Sequence, residues 1–570
     1  MRPKASSLLL QTQSHRLSTC APTILLLVIA AAASSCTPAT GFADHVKDLQ
    51  ERAVNEGHCD VAHWGWNHDN YLLWGTHSNR LVPVYTFGTK SAGDGVNLDS
   101  YTGVNSPYRS EQKVRELYTT LPANTVSPTA DYMDQTNIAD IQRAAIKAGK
   151  KHIFLVVFDG MDWQTTRDAS IHNLQKIAYE SGRGTGLHFQ DYTAHGNTQF
   201  SYMVTSPHND GTKTDVDTQT VKNPGGTKRG GYDVNRGGAF PWSVPTDAEY
   251  IVAGPKGGED LHAYTDSAAS ATSMTAGIKT YNDAINIDPA GQPVETVAHL
   301  AQHEGYSIGV VTSVPISHAT PACAYAHNVN RDDYQDLTRD LLGLPSIQHP
   351  QTPLSGVDVL IGCGAGVSRP KDPNQGENFV PGNAYLTDAD LAKIDVVTGG
   401  HYVVAQRTSG VSGVESLKAA AALAAKKQQR LFGYYGVTDG GGHLPFQTAD
   451  GKYDPTIGRS KKAENYSPAD LHENPTLADM TAAALTVLQA RKQNTWLMVE
   501  AGDVDWANHD NNIDNSIGAV NSGDAAVKVI TDWVEKNSNW DDALLIVTAD
   551  HGHYLVLDQP QGLITPKVAQ

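Results

Sequence analysis

The residues best suited to chemistry in this 570-residue chain fall into two groups. One is a serine at the head of a run of small residues. The other is a set of carboxylates and histidines that follow apolar runs. The serine lies in Tyr264-Thr-Asp-Ser-Ala-Ala-Ser-Ala-Thr-Ser-Met-Thr-Ala-Gly277. Ala and Met favour helix, and Asp266 is a good cap, so Ser267 is expected in the first turn. Free N–H groups there attract an anion, and the helix dipole adds to the attraction. A hydroxyl held at that point can attack phosphorus or a carbonyl once its proton is removed. The run alone is equally consistent with an ordinary capped helix packed through Ala and Ser.

The second group closes runs that read as buried strands. Ile153–Phe158 leads into Asp159, and Ser307–Ser313 leads towards His318 and Thr320. Thr495–Glu500 ends in a carboxylate, and Leu544–Thr548 leads into Asp550 and His551. The C-terminal edge of a parallel sheet is where α/β proteins place ligand chemistry. Asp505 and His509 stand four apart, so one helical turn puts both on one face. Mixed Asp/His sets suit zinc, and carboxylate with hydroxyl suits magnesium. Each residue alone has a plain explanation as a cap or a satisfied polar group. Their recurrence at strand ends, beside a poised serine, points to a metal-assisted site.

The elements that must position these residues alternate between strand and helix. Helices are expected over Asp140–Ala148, Glu295–Glu304, Val414–Lys427, Leu477–Lys492 and Ala519–Asn537, with further strands over Leu81–Phe87, Val357–Ile361 and Arg430–Gly436. This alternation predicts an α/β fold, a large, mostly parallel central sheet with helices on both faces. Residues 182–260 are rich in Gly, Thr, Asn and Asp, and are expected to be a surface insertion. The polar stretch 438–475 is expected to be a second insertion, forming a lid or crown.

Net charge is −18, which argues against a nucleic-acid partner, since such binding needs a basic face. Arg2, Lys4 and Arg16 precede an apolar stretch from Thr23 to Ala33 that is too short to span a bilayer and fits a signal peptide over 1–43. Export to the periplasm or exterior is therefore expected, with no transmembrane helix. Cys36 after Ala-Ser-Ser leaves lipid anchoring as the alternative. Of the 5 Cys, Cys59, Cys323 and Cys363 remain after the leader, room for at most one disulfide.

Asp266-Ser-Ala-Ala-Ser-Ala-Thr272 resembles the nucleophile motif of the alkaline phosphatases, in which the serine is phosphorylated during turnover. The resemblance implies a single catalytic domain over 44–570 and a cofactor set of two Zn2+ and one Mg2+. By it, Asp159, Asp550, His551 and Ser267 surround one zinc, with Asp159 bridging to the magnesium. Asp505 and His509 hold the other zinc. Thr320 and Glu500 hold the magnesium, and Arg331 clamps phosphate. His318 and Trp506 stand where some members carry Asp and Lys, so His318 sits beside the magnesium or ligates it. The family takes one more zinc ligand from a histidine well after the Asp-His pair, whereas here only His553 follows. Thr76-His-Ser-Asn-Arg-Leu-Val-Pro-Val-Tyr-Thr-Phe-Gly88 resembles that late run displaced to the front, so residues 44–149 read as the family's C-terminal part in circular permutation, with His77 as the missing ligand. The implied activity is phosphomonoester hydrolysis on small substrates, and a homodimer is the implied assembly. A phosphodiesterase or related hydrolase on the same scaffold is the alternative, as is an exported phosphate- or metal-binding protein without catalysis. A sulfatase is disfavoured, because Ser267 lacks a Cys/Ser-x-Pro-x-Arg setting.

Overall fold

Apolar runs without alternation become the strands of one sheet, as expected for strands buried on both faces. The computed structural model describes residues 44–252, 262–438 and 441–566. The expected leader, with Cys36, lies outside them. Ten strands form the sheet: β1 Val82–Phe87, β2 Met133–Asp134, β3 His152–Phe158, β4 Thr198–Val204, β5 Ser307–Pro315, β6 Val359–Cys363, β7 Tyr402–Gln406, β8 Arg430–Tyr434, β9 Thr495–Ala501 and β10 Ala543–Ala549. Their order across the sheet is 7-8-6-5-9-3-10-1-4-2. Every residue of β5, β9 and β10 is buried. Successive side chains point to opposite faces, so both faces are covered. All neighbouring pairs run parallel except those made by β1, which is antiparallel to both β10 and β4.

Two differences from the sequence reading have physical reasons. Residues 182–260 are not only surface: Phe200–Val204 is an apolar patch within the polar segment, and β4 pairs with β1 and β2. The helix expected from Ala519 starts at Ile513 instead, capped by Asn512, whose side chain accepts from Asn515 N. Its first turns bury Asp514, Asn515 and Ser516, which hides their helical period from a reading based on apolar spacing. Among the described residues no helix is long and apolar enough to cross a membrane. Cys59, Cys323 and Cys363 are buried free thiols.

The segment 44–149 is built into the sheet. β1 lies inside it, beside β10. His63–Trp64 pairs with Leu555–Val556, and the His45 ring reaches the Gly562 carbonyl at 2.7 Å, so the first and last described elements meet. Lys150 helps to hold β1 in place. Its ammonium donates to the carbonyls of Gly88 (2.9 Å), Trp540 (2.9 Å) and Ala543 (3.1 Å), and the residue is buried. Lys150→Met keeps the stem and strands these acceptors, so urea unfolding should show a loss of about 3 kcal/mol. An unchanged midpoint would show that water replaces the ammonium.

Candidate functional site

Strand register brings the first carboxylates together. In the parallel pair β3–β10, Phe158 stands opposite Ala549, so Asp159 and Asp550 leave adjacent strands at the same level. On the other side of β3, Glu500 stands opposite Val157, and Thr312 of β5 stands opposite Glu500. Four neighbouring strands therefore deliver polar groups to one edge. Thr312 Oγ1 donates to Glu500 Oε2 there, and Ser270 Oγ and Gly160 N donate to Asp550 at 3.1 and 3.0 Å. Gly160 has φ +73°, and a Cβ there would meet the His553 ring at 2.8 Å, so this turn requires glycine.

Ser267 opens the helix Ser267–Ala276, and Asp266 caps it by accepting from Ala269 N, as the sequence predicts. Ser267 Oγ lies 3.3 Å from His551 Nε2 and 3.5 Å from Asp159 Oδ1. His551 Nε2 is in turn 3.3 Å from Asp159 and 3.5 Å from Asp550. The four residues expected to share one zinc are thus one cluster. Asp159, Glu500 and His318 form an adjoining group whose candidate ligand atoms lie within 4.8 Å of one another. Asp159 Oδ2, Glu500 Oε1 and Thr320 Oγ1 are buried without a partner in hydrogen-bonding geometry. Burial, then the charges of Asp550 and Asp505, pushes the Asp159 carboxyl well above the usual range. Burial chiefly moves Glu500 to about 8. Orphaned oxygens and crowded like charges are what a divalent cation relieves.

A third group contains the residue from the front of the chain. His77 Nε2 is 3.1 Å from His509 Nε2. Asp505 Oδ1 lies 3.9 Å from His77 Nε2 and 3.4 Å from His509 Nε2. Tautomers follow from the other ring nitrogens. His77 Nδ1 contacts the Thr265 carbonyl at 2.8 Å, and His509 Nδ1 contacts the Gly75 carbonyl at 2.7 Å. A carbonyl only accepts, so both Nδ1 atoms carry the proton, and in the neutral rings both Nε2 lone pairs face each other. Burial, then the neighbouring imidazoles, keeps His77 well below its ordinary pKa, so it is neutral. Two facing lone pairs beside a carboxylate, with each outer N–H on a backbone carbonyl, are the arrangement of metal-ligating histidines.

Arg331 lies on the same cavity, with Nη1 3.0 Å from Asp266 Oδ2 and Nη2 3.5 Å from His318 Nε2. Burial, then the Arg331 charge, lowers His318 to about 3, so it is neutral and able to coordinate. The cavity, of about 420 Å³, is lined by His77, Ser267, His318, Arg331, Arg459, Asp505, Trp506, His509 and Asp510.

His553, the histidine that follows the Asp-His pair, places Nε2 2.7 Å from Asp505 Oδ1. Two further residues of the site were not singled out in the sequence. Arg459 comes from the 438–475 stretch, held by its N–H on the Asp510 carbonyl at 2.7 Å. No local pattern marks it, and a lone Arg in a polar loop carries no signal. Ser270 could have been found, since it lies one helical turn after Ser267.

A family model described as alkaline phosphatase matches residues 249–561, more than half of the chain. Alkaline phosphatase 4 of Bacillus subtilis is 29% identical over 287 residues, 50% of this chain and 49% of that protein. Alkaline phosphatase H of Pseudomonas aeruginosa is 28% identical over 300 residues, 52% of this chain and 59% of that protein. The chain spans about half the length of these relatives. Among solved structures, a cold-active alkaline phosphatase from a Shewanella species has a TM-score of 0.41 at 19% identity, covering 70% of this chain and 68% of that one.

Proposed function

We propose, from the premise that this chain belongs to the alkaline phosphatase family, that it hydrolyses phosphate monoesters through a phosphoserine at Ser267. The observation that carries this reading is the Ser267 hydroxyl at a helix N-terminus, 3.3 Å from His551 Nε2, on the cavity that Arg331 also lines. Two Zn2+ and one Mg2+ are the proposed cofactors. Asp159, Asp550 and His551 would hold one zinc. Asp505, His509 and His77 would hold the other. Asp159, Thr320 and Glu500 would hold the magnesium, with His318 beside it. Bound there, the cations supply Lewis acidity, which favours the ionised serine and activates water.

The chain's own residues do the rest. Ser267 Oγ attacks phosphorus in line with the leaving oxygen. The P–O bond to that oxygen breaks, and the alcohol departs with a proton. Water then attacks phosphoserine, returning the hydroxyl and releasing inorganic phosphate. The Arg331 guanidinium, aimed by Asp266, pairs with two phosphoryl oxygens at once. The N–H groups of the first helical turn add a neutralising dipole.

The discriminating experiment compares a chromogenic phosphomonoester with the matching diester at alkaline pH. Fast monoester and slow diester turnover is expected. Equal or reversed rates would favour the diesterase, and no turnover in metal-replete protein would favour a binding protein. Export, a homodimer and the circular permutation belong to the same reading, and the place of His77 beside His509 supports the last. His77→Ala should lose one zinc equivalent by elemental analysis and lower kcat by at least about tenfold, since even partners one layer out from a metal carry 10- to 100-fold. Unchanged zinc content and rate would remove His77 from the site.

A further inference from the structure

A second cluster of histidines and a carboxylate lies outside this cavity. His327 stands four residues before Arg331, Asp340 lies on the helix Tyr334–Leu342, and His349 lies in the segment between that helix and β6. His327 Nδ1 is 3.0 Å from His349 Nε2, and His349 Nε2 is 3.8 Å from Asp340 Oδ2. The candidate ligand atoms of all three lie within 4.8 Å of one another.

Three features distinguish this cluster from a chance surface grouping. First, His327 Nε2 contacts the Val294 carbonyl at 2.8 Å, so the proton is on Nε2 and, in the neutral ring, the Nδ1 lone pair points at His349. That is the same outer N–H to backbone carbonyl arrangement seen at His77 and His509. Second, Asp340 is fully buried. Its Oδ2 accepts from His327 N at 3.0 Å, and its Oδ1 has no partner in hydrogen-bonding geometry. Third, the spacing suits a small ion. Bonds of about 2.0–2.1 Å at tetrahedral angles place ligand atoms about 3.3 Å apart. The His349 side chain keeps 19% of its surface exposed, which leaves an entry path and room for water as a fourth ligand.

We propose that His327, Asp340 and His349 form a further divalent-metal site, separate from the catalytic centre and taking a zinc-class transition ion. Two imidazoles and one carboxylate favour such an ion over calcium or magnesium, which prefer all-oxygen shells. The ion ties the segment around His349 to the helix Tyr334–Leu342 and to the stretch that carries Arg331. Its role is therefore structural support of that stretch. The competing account is a plain hydrogen bond, with His349 Nε2–H donating to His327 Nδ1 and no metal.

The test uses the full chain, stripped with chelator, dialysed and reloaded with Zn2+. Zinc-edge anomalous diffraction from crystals of the loaded wild type should show a peak among His327, Asp340 and His349. Peaks at the Ser267 cavity only would overturn the proposal. In solution, His349→Ala should bind one zinc equivalent fewer than wild type, whereas His195→Ala, at an exposed histidine elsewhere, should lose none. The zinc-induced rise in Tm of stripped protein should be smaller in His349→Ala. Equal stoichiometry in His349→Ala and wild type would also overturn the proposal. The diffraction arm needs no variant, so it decides the matter even if His349→Ala fails to fold.

Discussion

Ser267→Ala should lower kcat for a chromogenic phosphomonoester by at least about 10³-fold, equivalent to about 4 kcal/mol of barrier. The substitution removes one buried hydroxyl at the head of a helix whose cap, Asp266, is untouched, so the fold should persist. What is lost is the atom proposed to form the phosphoenzyme. In the proposed reading, direct attack by water on bound substrate remains, because the substitution leaves Arg331 and the other polar residues that line the cavity in place. The variant is therefore expected to be slow rather than dead. Acid quenching during turnover with labelled substrate checks this. Wild type should carry covalent phosphate and the variant none. Label retained on the variant at wild-type level would sink Ser267 as the nucleophile.

Chelation should have the second large effect: loss of more than about 10³-fold in turnover, restored by Zn2+ with Mg2+, and a lower Tm in the stripped protein. The reason lies in the carboxylates. Asp159, Glu500 and Asp550 are all raised, burial being the largest cause in each. The sign of the pH dependence follows. A carboxyl raised in the folded state binds a proton that the unfolded chain has already released, so stability falls as pH rises. For Glu500 the fall runs from the ordinary carboxylate range, near 4.5, to about 8. Stripped protein should therefore melt at a lower temperature at pH 9 than at pH 7.5, a window above the range in which buried neutral histidines such as His77 and His318 act in the opposite direction, and metal addition should raise Tm more at pH 9. A Tm of stripped protein that rises between pH 7.5 and 9 would contradict this crowding. Thermal scans at both pH values, with and without metals, make the comparison.

Much of the site was legible in the chain because its signals are local. Asp266 followed by Ser267 and small residues needs only its own backbone to form a capped turn. The apolar runs before Asp159 and Asp550, and the run that ends in Glu500, are long enough to be buried strands wherever they pack. Asp505 and His509 share a helix face by spacing alone. Ser201, by contrast, lies in a stretch whose composition resembles a loop, yet it is buried on β4 opposite Val84 of β1, because strand pairing outweighs the local polarity.

The sequence by itself determined which residues could act: a serine at a helix start, and carboxylates and histidines that follow buried strands of a mostly parallel sheet. Capping, apolar periodicity and helical spacing are short-range effects, readable over a few residues. Only the tertiary structure decided how those residues meet. It set Asp159 level with Asp550 through the β3–β10 register, and it brought Arg459 out of a polar loop into the cavity. It also placed His77 3.1 Å from His509, a residue 432 positions away, and fixed both tautomers with the carbonyls of Thr265 and Gly75. Those relations arise from packing between distant segments, and no local pattern encodes the distance between two atoms that only the folded chain brings together.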